Sequence, residues 1–254
     1  MILGAPAPTA HRPWPVPRGP WVLFMRWEHL AFLHWPVDPD HLRRLLPPGL
    51  SLDTFGDTAW LGLTPFLMSG VRARLTPPLP GISSFPEMNL RTYVSAEGKP
   101  GIWFFSLDAA NSLAVRGARW TYHLPYYPAK MALEVQEDGE VRYESERLDE
   151  EDDPVRFRAS YKATGPVYHA DPGTLEHWLT ERYCLYSHDG DCLYRGEVHH
   201  APWPLQVGEP HIHTNTMAAP LDLSLEPEPM LTHVARQLDV VAWPPKKVGP
   251  GSRV

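Results

Sequence analysis

The sequence is poor in cysteine and lacks any long apolar run. Its 254 residues include two cysteines, Cys184 and Cys192. Two thiols are too few for a disulfide framework or a four-thiolate zinc site, so reduced thiols and a cytoplasmic location are predicted. Because no stretch of about 18 apolar residues occurs, a membrane-spanning helix is not expected. The first twenty residues hold six prolines in place of an apolar signal core, so no secretory leader is expected.

Clustered positive charge is also missing. Lys and Arg number 23 against 30 Asp and Glu, for a net charge of −7, and the basic residues are scattered. A phosphate backbone or an acidic lipid surface requires a basic face, so neither nucleic acid nor a membrane is predicted as a partner. With 43% hydrophobic and 21% charged residues, the chain is typical of a globular protein. A small-molecule ligand is the expected partner, and a homo-oligomer stays open.

Common catalytic motifs are absent as well. The sequence has no G-x-S-x-G, P-loop, dinucleotide-binding or H-E-x-x-H pattern. No cofactor is therefore predicted. The candidate functional residues are instead polar side chains inside strongly apolar segments, because burying a polar group costs free energy unless a partner compensates for it.

Strands dominate the remaining pattern. Runs of β-branched and aromatic residues bounded by Gly, Pro or Asp predict strands over 58–68, 87–94, 102–107, 130–136, 140–146, 155–161, 192–199 and 234–243. Helices are predicted after Asp38-Pro39 and after Asp171-Pro172, where a capping carboxylate precedes proline. A further short helix is predicted after Asp108, over 109–116, with Asp108 as its N-cap.

This order of elements predicts a β-rich α+β domain. Strands and long helices do not alternate, which excludes a doubly wound nucleotide-binding fold. An antiparallel barrel or sandwich with helices on its outside is the simplest solution. The domain is expected over 21–243, between a flexible proline-rich extension over 1–20 and a flexible tail over 244–254. The acidic stretch 149–153 is interpreted as a solvated loop.

The first candidate site lies in the strand predicted over 87–94. Alternate residues of a strand share a face, which groups Glu87, Asn89, Arg91 and Tyr93. Inside a barrel, this face would offer a carboxylate, an amide, a guanidinium and a phenol to a small polar ligand. Alternation by itself favours the opposite arrangement, in which this face meets solvent and the apolar residues between them face the core.

Lys130 is the second candidate. It follows two tyrosines, a proline and Ala129, and it begins an apolar strand. Partial desolvation there would lower the pKa of the amine from about 10.4 towards roughly 7–8 and make it nucleophilic. The alternative, which composition favours, is a surface lysine with its ammonium group in water.

A group of histidines suggests a metal site. Four of them are close in sequence and have possible co-ligands nearby, namely His199, His200, His211 and His213 with Glu197, Glu209 and Cys192. The segment is rich in proline and has no recognised ligand spacing. Surface or hydrogen-bonding histidines are therefore expected, and a metal-dependent hydrolase is the weaker hypothesis.

Five segments together carry a family resemblance. They cover 26–72, 85–94 (FPEMNLRTYV), 101–109, 122–131 (YHLPYYPAKM) and 179–186. Over about 26–243 the chain resembles the YqjF-like family of uncharacterised bacterial proteins, catalogued as a domain of unknown function. That family is in turn similar to the acetoacetate decarboxylase-like proteins. The resemblance implies a closed antiparallel β-barrel or cone with a few flanking helices and an internal ligand cavity.

The resemblance also bears on the candidate residues. In the decarboxylases a Tyr-Pro-Lys-Lys run supplies a Schiff-base lysine and a second lysine that lowers its pKa by charge repulsion. Here the run ends in Ala129 and Lys130, so the position of the reactive amine is held by alanine. The resemblance further implies that Glu87 faces the cavity, where Arg91 would either pair with it or bind a substrate carboxylate.

The sequence thus predicts an internal cavity for a small molecule that bears a carboxylate or a carbonyl. Lyase-type, decarboxylase-like chemistry would assign catalytic roles to Lys130 and Glu87. The expected substrate-binding residues are Arg91, Asn89, Tyr93 and Tyr127. The alternative is a non-catalytic binding protein or sensor that keeps the cavity without turnover.

Overall fold

The computed structural model describes residues 8–111, 122–148 and 155–249. Within these ranges the chain is mostly strand, and the strands join in one mixed sheet. The strands are β1 Leu23–Val37, β2 Ser51–Leu52, β3 Ala59–Ala73, β4 Phe85–Ala96, β5 Lys99–Ala109, β6 Tyr126–Val135, β7 Val141–Arg147, β8 Arg156–Tyr168, β9 Cys184–His188, β10 Leu193–His199, β11 Leu205–Asn215, β12 Leu231–Ala242 and β13 Lys246–Val248. The helices are α1 Pro39–Leu45, α2 Leu175–Thr180 and a 3-10 turn, Ala219–Leu221.

Seven strands pair in a circuit that returns to its first member. The order is β1, β3, β4, β5, β9, β10 and β12, and β12 pairs again with β1. Side chains on one face of these strands form an apolar cluster that includes Phe32, Phe66, Phe104 and Leu238. This first circuit surrounds the cavity described below.

A second circuit shares five of these strands. It runs from β5 through β6, β7, β8, β11 and β12 and returns by β1, β3 and β4. A second apolar cluster, with Leu33, Met88 and Phe157, lies on the opposite face of the shared strands. Both faces of β4 are therefore buried: Met88 is 0% exposed and Glu87 on the other face is 3% exposed.

Two backbone features shape the wall of the first circuit. The pairing of β1 with β3 shifts between Glu28 and Leu33, where His29 has a φ of 51°. Such an irregularity changes which side chains face inward, and here it brings both Trp27 and Leu30 to the cavity. At Gly101 an added Cβ would lie 2.7 Å from Cys184 Sγ, so glycine allows β5 and β9 to approach each other closely.

The predicted strands are all present, most of them longer than predicted, but the closed antiparallel pattern is not complete. β5 pairs in parallel with both β6 and β9. Parallel neighbours need a crossover connection. The connection from β5 to β6 is the shorter one, and the one from β5 to β9 includes β6, β7 and β8. The sheet is thus mixed where the sequence predicted antiparallel pairing.

The helix predictions hold at one site and differ at two. α1 begins after Asp38, whose side chain accepts a hydrogen bond from Asp40 N at 2.9 Å. α2 begins at Leu175 with Thr174 as its N-cap, later than the predicted start after Asp171-Pro172. The interpretation of Asp108 as an N-cap is wrong, because Asp108 lies inside β5 and binds a buried arginine of β7. Most of the predicted helix over 109–116 and the acidic stretch 149–153 lie outside the described residues.

Both segments predicted as flexible contain ordered contacts. Arg12, in the predicted extension 1–20, is 8% exposed and donates a hydrogen bond to Val198 O at 2.6 Å. β13, in the predicted tail 244–254, pairs with β10. Both proline-rich segments therefore contact β10 through described residues.

Among the described residues, no helix has the length and apolar character needed to span a bilayer.

Candidate functional site

A cavity of about 750 Å³ lies within the first circuit. All seven strands contribute residues to its lining, and most of these side chains are apolar, among them Met25, Phe66, Met68, Phe104 and Leu107. Three polar residues of β4 also line it: Glu87, Asn89 and Arg91. The polar face of β4 therefore faces the cavity, and the apolar face packs into the second cluster.

The register of the neighbouring strands fixes these three side chains side by side. Glu87 is opposite Phe66, and Asn89 is opposite Thr64 on β3. Arg91 is opposite Gly62, where a Cβ would lie 3.4 Å from Arg91 Cγ. The Cβ would lie closer still to His34, at 3.2 Å from Cδ2, so glycine at this position leaves room for the side chains of His34 and Arg91.

Glu87 is buried and accepts a hydrogen bond from a phenol. The hydroxyl of Tyr126 on β6 lies 3.2 Å and 3.1 Å from the two carboxyl oxygens. Burial raises the pKa of Glu87 from 4.5 to about 8, and the hydrogen bond from Tyr126 offsets part of this rise. Burial also raises the pKa of Tyr126 well above 10. At neutral pH, Glu87 is therefore mostly a neutral carboxylic acid beside a neutral phenol.

Arg91 is a buried guanidinium that interacts with the Tyr93 phenol and has no carboxylate partner among the described residues. It is 6% exposed, and its Cζ lies 5.1 Å from the ring centre of Phe32. Within the described residues, Nε and Nη2 have no hydrogen-bond partner and Arg91 forms no ion pair, including none with Glu87. The structural Glu87–Arg91 pair that the sequence left open is therefore not formed.

Further unpartnered polar atoms lie around Arg91. In the part of the chain that the structure describes, Asn89 Oδ1, Thr64 Oγ1 and Arg182 Nη2 are buried without a hydrogen bond, and all three residues line the cavity. Arg182 also binds Asp53 through Nη1 at 2.6 Å. Trp27 Nε1 and Trp203 Nε1 of the lining are also without a partner among the described residues. Native proteins satisfy most buried polar groups, so these atoms are the candidates to hydrogen-bond to a bound molecule.

Tyr93 and Tyr127 do not line the cavity, contrary to prediction. The Tyr93 hydroxyl lies 2.7 Å from His34 Nε2, and the side chain is fully buried. Tyr127 lies under Arg147, whose Cζ is 4.1 Å from its ring centre. Both tyrosines therefore pack in the walls and not against the space that a ligand would fill.

Lys130 is exposed and lies opposite Glu146 of β7. The strand begins at Tyr126, four residues before the predicted start, and Tyr126 and Ala129 are its buried residues. Neither Ala129 nor Lys130 lines the cavity, and none of the described lining residues is a lysine. The structure therefore agrees with the alternative that composition favoured, a lysine at the surface.

The structure also separates the histidines of the proposed metal site. His199 and His200 are buried, whereas His211 and His213 lie on the exposed face of β11. His200 packs against the Tyr183 ring with centroids 4.7 Å apart. Among the described residues no three His, Cys, Asp or Glu side chains are grouped for a metal ion.

Sequence reasoning missed Tyr126, Arg182 and Thr64 as lining residues. All three lie in segments that carried the family resemblance, which was the available signal. Their approach to Glu87 and Arg91 depends on strand pairing between distant parts of the chain.

Comparisons with known proteins agree with this architecture. A family model described as "Uncharacterized conserved protein" (DUF2071) matches residues 24–239. "Uncharacterized protein YqjF" of Bacillus subtilis (strain 168) is 44% identical over 232 residues, which are 91% of this chain and 95% of that protein.

Solved structures show the same fold at low sequence identity. The biosynthetic enzyme MppR complexed with pyruvate is 16% identical with a TM-score of 0.63, covering 97% of this chain and 99% of that one. An acetoacetate decarboxylase-like enzyme from Sphingomonas wittichii RW1 is 15% identical with a TM-score of 0.63, covering 91% and 94%.

Proposed function

Since the chain belongs to the DUF2071 family of uncharacterized conserved proteins and shares its fold with acetoacetate decarboxylase-like enzymes, we propose that its cavity binds a small organic molecule that bears a carboxylate or a carbonyl group. In this proposal the first circuit is the closed barrel wall that holds the ligand. MppR, which has a similar fold, is described in complex with pyruvate, and this supports a keto acid as one class of ligand.

The observation that carries the proposal is Arg91. A buried, unpaired charge is costly because it loses its hydration. Nε and Nη2, the two nitrogens without partners, form one edge of the guanidinium and can bind both oxygens of a carboxylate. An anionic ligand would therefore replace the lost hydration of Arg91.

Glu87 favours a second role for the same cavity. Burial raises the pKa of its carboxyl group to about 8, so the group keeps its proton at neutral pH. It can donate a hydrogen bond to a ligand carbonyl, and its pKa is close to the neutral range that suits general acid–base catalysis. Lyase-type chemistry is thus the second candidate, and it would proceed without an imine since no lysine is among the described lining residues.

Isothermal titration with pyruvate, acetoacetate and benzoate tests the binding proposal. Arg91→Gln is expected to weaken the binding of each acid that binds by roughly 10- to 100-fold, because it removes charged hydrogen bonds. Arg158→Gln, on the exposed face of β8, is the matched control and should leave affinity unchanged. Equal affinities of the Arg91→Gln variant and the natural protein would refute the proposal.

Mass spectrometry of keto acid mixtures tests the catalytic role. Product formation that stops in Glu87→Gln while binding persists would support proton transfer by Glu87. Lys130→Ala should leave turnover intact, and borohydride should trap no adduct at Lys130. A trapped adduct would show that the covalent mechanism operates after all.

A further inference from the structure

The two ends of the cavity differ in chemistry. Along β4, the polar lining residues run from Glu87 to Arg91, and the next lining residue beyond Glu87 is Phe85. Phe85 is opposite Met68 in the register, and Val71 continues the lining along β3 in the same direction. The cavity therefore has a polar end at Arg91 and an apolar end at Phe85 and Val71.

The distance between these ends exceeds the size of a short keto acid. Arg91 and Phe85 are separated by six residues of one strand, which corresponds to roughly 20 Å at about 3.3 Å per residue. The volume of about 750 Å³ lies within the range of pockets that enclose ligands of drug size, and a single water occupies only about 30 Å³. A ligand with three or four carbons would leave the apolar end empty.

Apolar side chains are also exposed beside the apolar end. Val22 is 38% exposed, Leu75 94% and Leu79 57%. Val22 itself lines the cavity, and Arg74 N, next to Leu75 in the chain, donates a hydrogen bond to Val22 O at 2.9 Å. This end therefore meets the surface at apolar residues, which suits the passage of an apolar group.

From this polarity we infer that the ligand is an amphipathic monocarboxylate, with its carboxylate at Arg91 and an extended apolar chain that runs past Phe85 towards Val71 and Val22. The inference rests on the proposed function, because Arg91 must hold the carboxylate. It adds the class of ligand: acids with a long hydrocarbon chain bind more tightly than short acids with the same head group.

A homologous series of saturated acids tests the inference on the natural protein. Calorimetric titration with butyrate, hexanoate, octanoate, decanoate and dodecanoate should show affinity rising by about two- to four-fold for each added methylene group, as burial of a CH₂ requires. Affinity that stays level from butyrate onwards would overturn the inference and leave the carboxylate proposal standing. Decanol that binds as tightly as decanoate would refute the role of Arg91 instead, and with it the inference.

A blocked cavity provides an independent check. Val71→Trp places a large side chain in the apolar end and should remove at least 10-fold of the affinity for decanoate while butyrate binding stays unchanged. Val167→Trp, at a valine that is 58% exposed on β8, is the matched control and should bind both acids normally. Decanoate binding that is equally strong in Val71→Trp and the control would overturn the inference, and the series on the natural protein decides the matter if Val71→Trp does not fold.

Discussion

Replacing Glu87 with glutamine should abolish a pH dependence of stability. In the native protein, burial raises the pKa of this carboxyl group from 4.5 to about 8, while in the unfolded chain it ionises near its ordinary value. Below about pH 4.5 Glu87 is protonated in both the native and the unfolded state, so its ionisation does not reduce the free energy of unfolding. As the pH rises towards 8, the unfolded chain loses the proton first, so the native state becomes relatively less stable. Above about pH 8 Glu87 ionises in the native state too, and the free energy of unfolding stops falling.

The size of this effect follows from the span between the two pKa values. At about 1.4 kcal/mol for each pKa unit, a rise from 4.5 to about 8 corresponds to roughly 5 kcal/mol as an upper limit. Typical domains have an unfolding free energy of about 5–15 kcal/mol, so even part of this loss is measurable. Glutamine keeps an oxygen for the Tyr126 hydroxyl and has no titrating proton.

Urea unfolding between about pH 5 and about pH 9 measures the difference between the natural protein and Glu87→Gln. From the low to the high end of this pH range, the free energy of unfolding of Glu87→Gln is expected to rise by a few kcal/mol relative to that of the natural protein. Glu134→Gln, at an exposed glutamate of β6, should follow the natural protein throughout. A constant difference between Glu87→Gln and the natural protein at every pH would show that Glu87 ionises normally and would refute the reasoning.

Three further predictions concern the walls. Asp108→Asn removes the carboxylate that binds buried Arg147 at 3.0 Å and should cost about 3–5 kcal/mol in urea unfolding, whereas a loss under about 1 kcal/mol would contradict a structural role for the pair. Gly101→Ala brings a Cβ to 2.7 Å from a sulfur atom and should lower stability by about 1–3 kcal/mol; an unchanged Tm would argue against close β5–β9 contact. Burial raises the pKa of Cys184 to about 12, so iodoacetamide should label half-buried Cys192 first, and equal labelling rates would contradict this placement.

The direction of β4 shows how far the sequence could be interpreted. Alternation correctly grouped Glu87, Asn89 and Arg91 on one face, yet by itself it favoured solvent on that side. That inference assumes that one face of a strand is buried and the other is wet. Here β4 separates two interiors, so Met88 is as buried as Glu87. Only the pairing of distant strands creates this arrangement, and no local pattern encodes it.

β1 was not predicted, and the orientation of Lys130 was left open, for more local reasons. The polar residues Arg26, Glu28 and His29 interrupt the apolar pattern of β1, and an irregular register accommodates them. Lys130 was expected at the start of a strand, but β6 begins at Tyr126. The pairing of β6 with β7 sets which of its residues face the interior, and it turns Ala129 inward and the lysine outward.

The partners of β1 have a consequence for how the chain folds. β1 pairs with β3, which follows soon after it, and with β12, which is distant from it in the sequence. Neither circuit can close before β12 pairs with its neighbours. The apolar faces of β1, β3 and β4 therefore stay exposed to solvent until β12 has been synthesised. Pairing across such sequence separations folds slowly and exposes intermediates to aggregation. The pairing of β12 with β1, β10 and β11 is therefore the step that covers the interiors of both circuits.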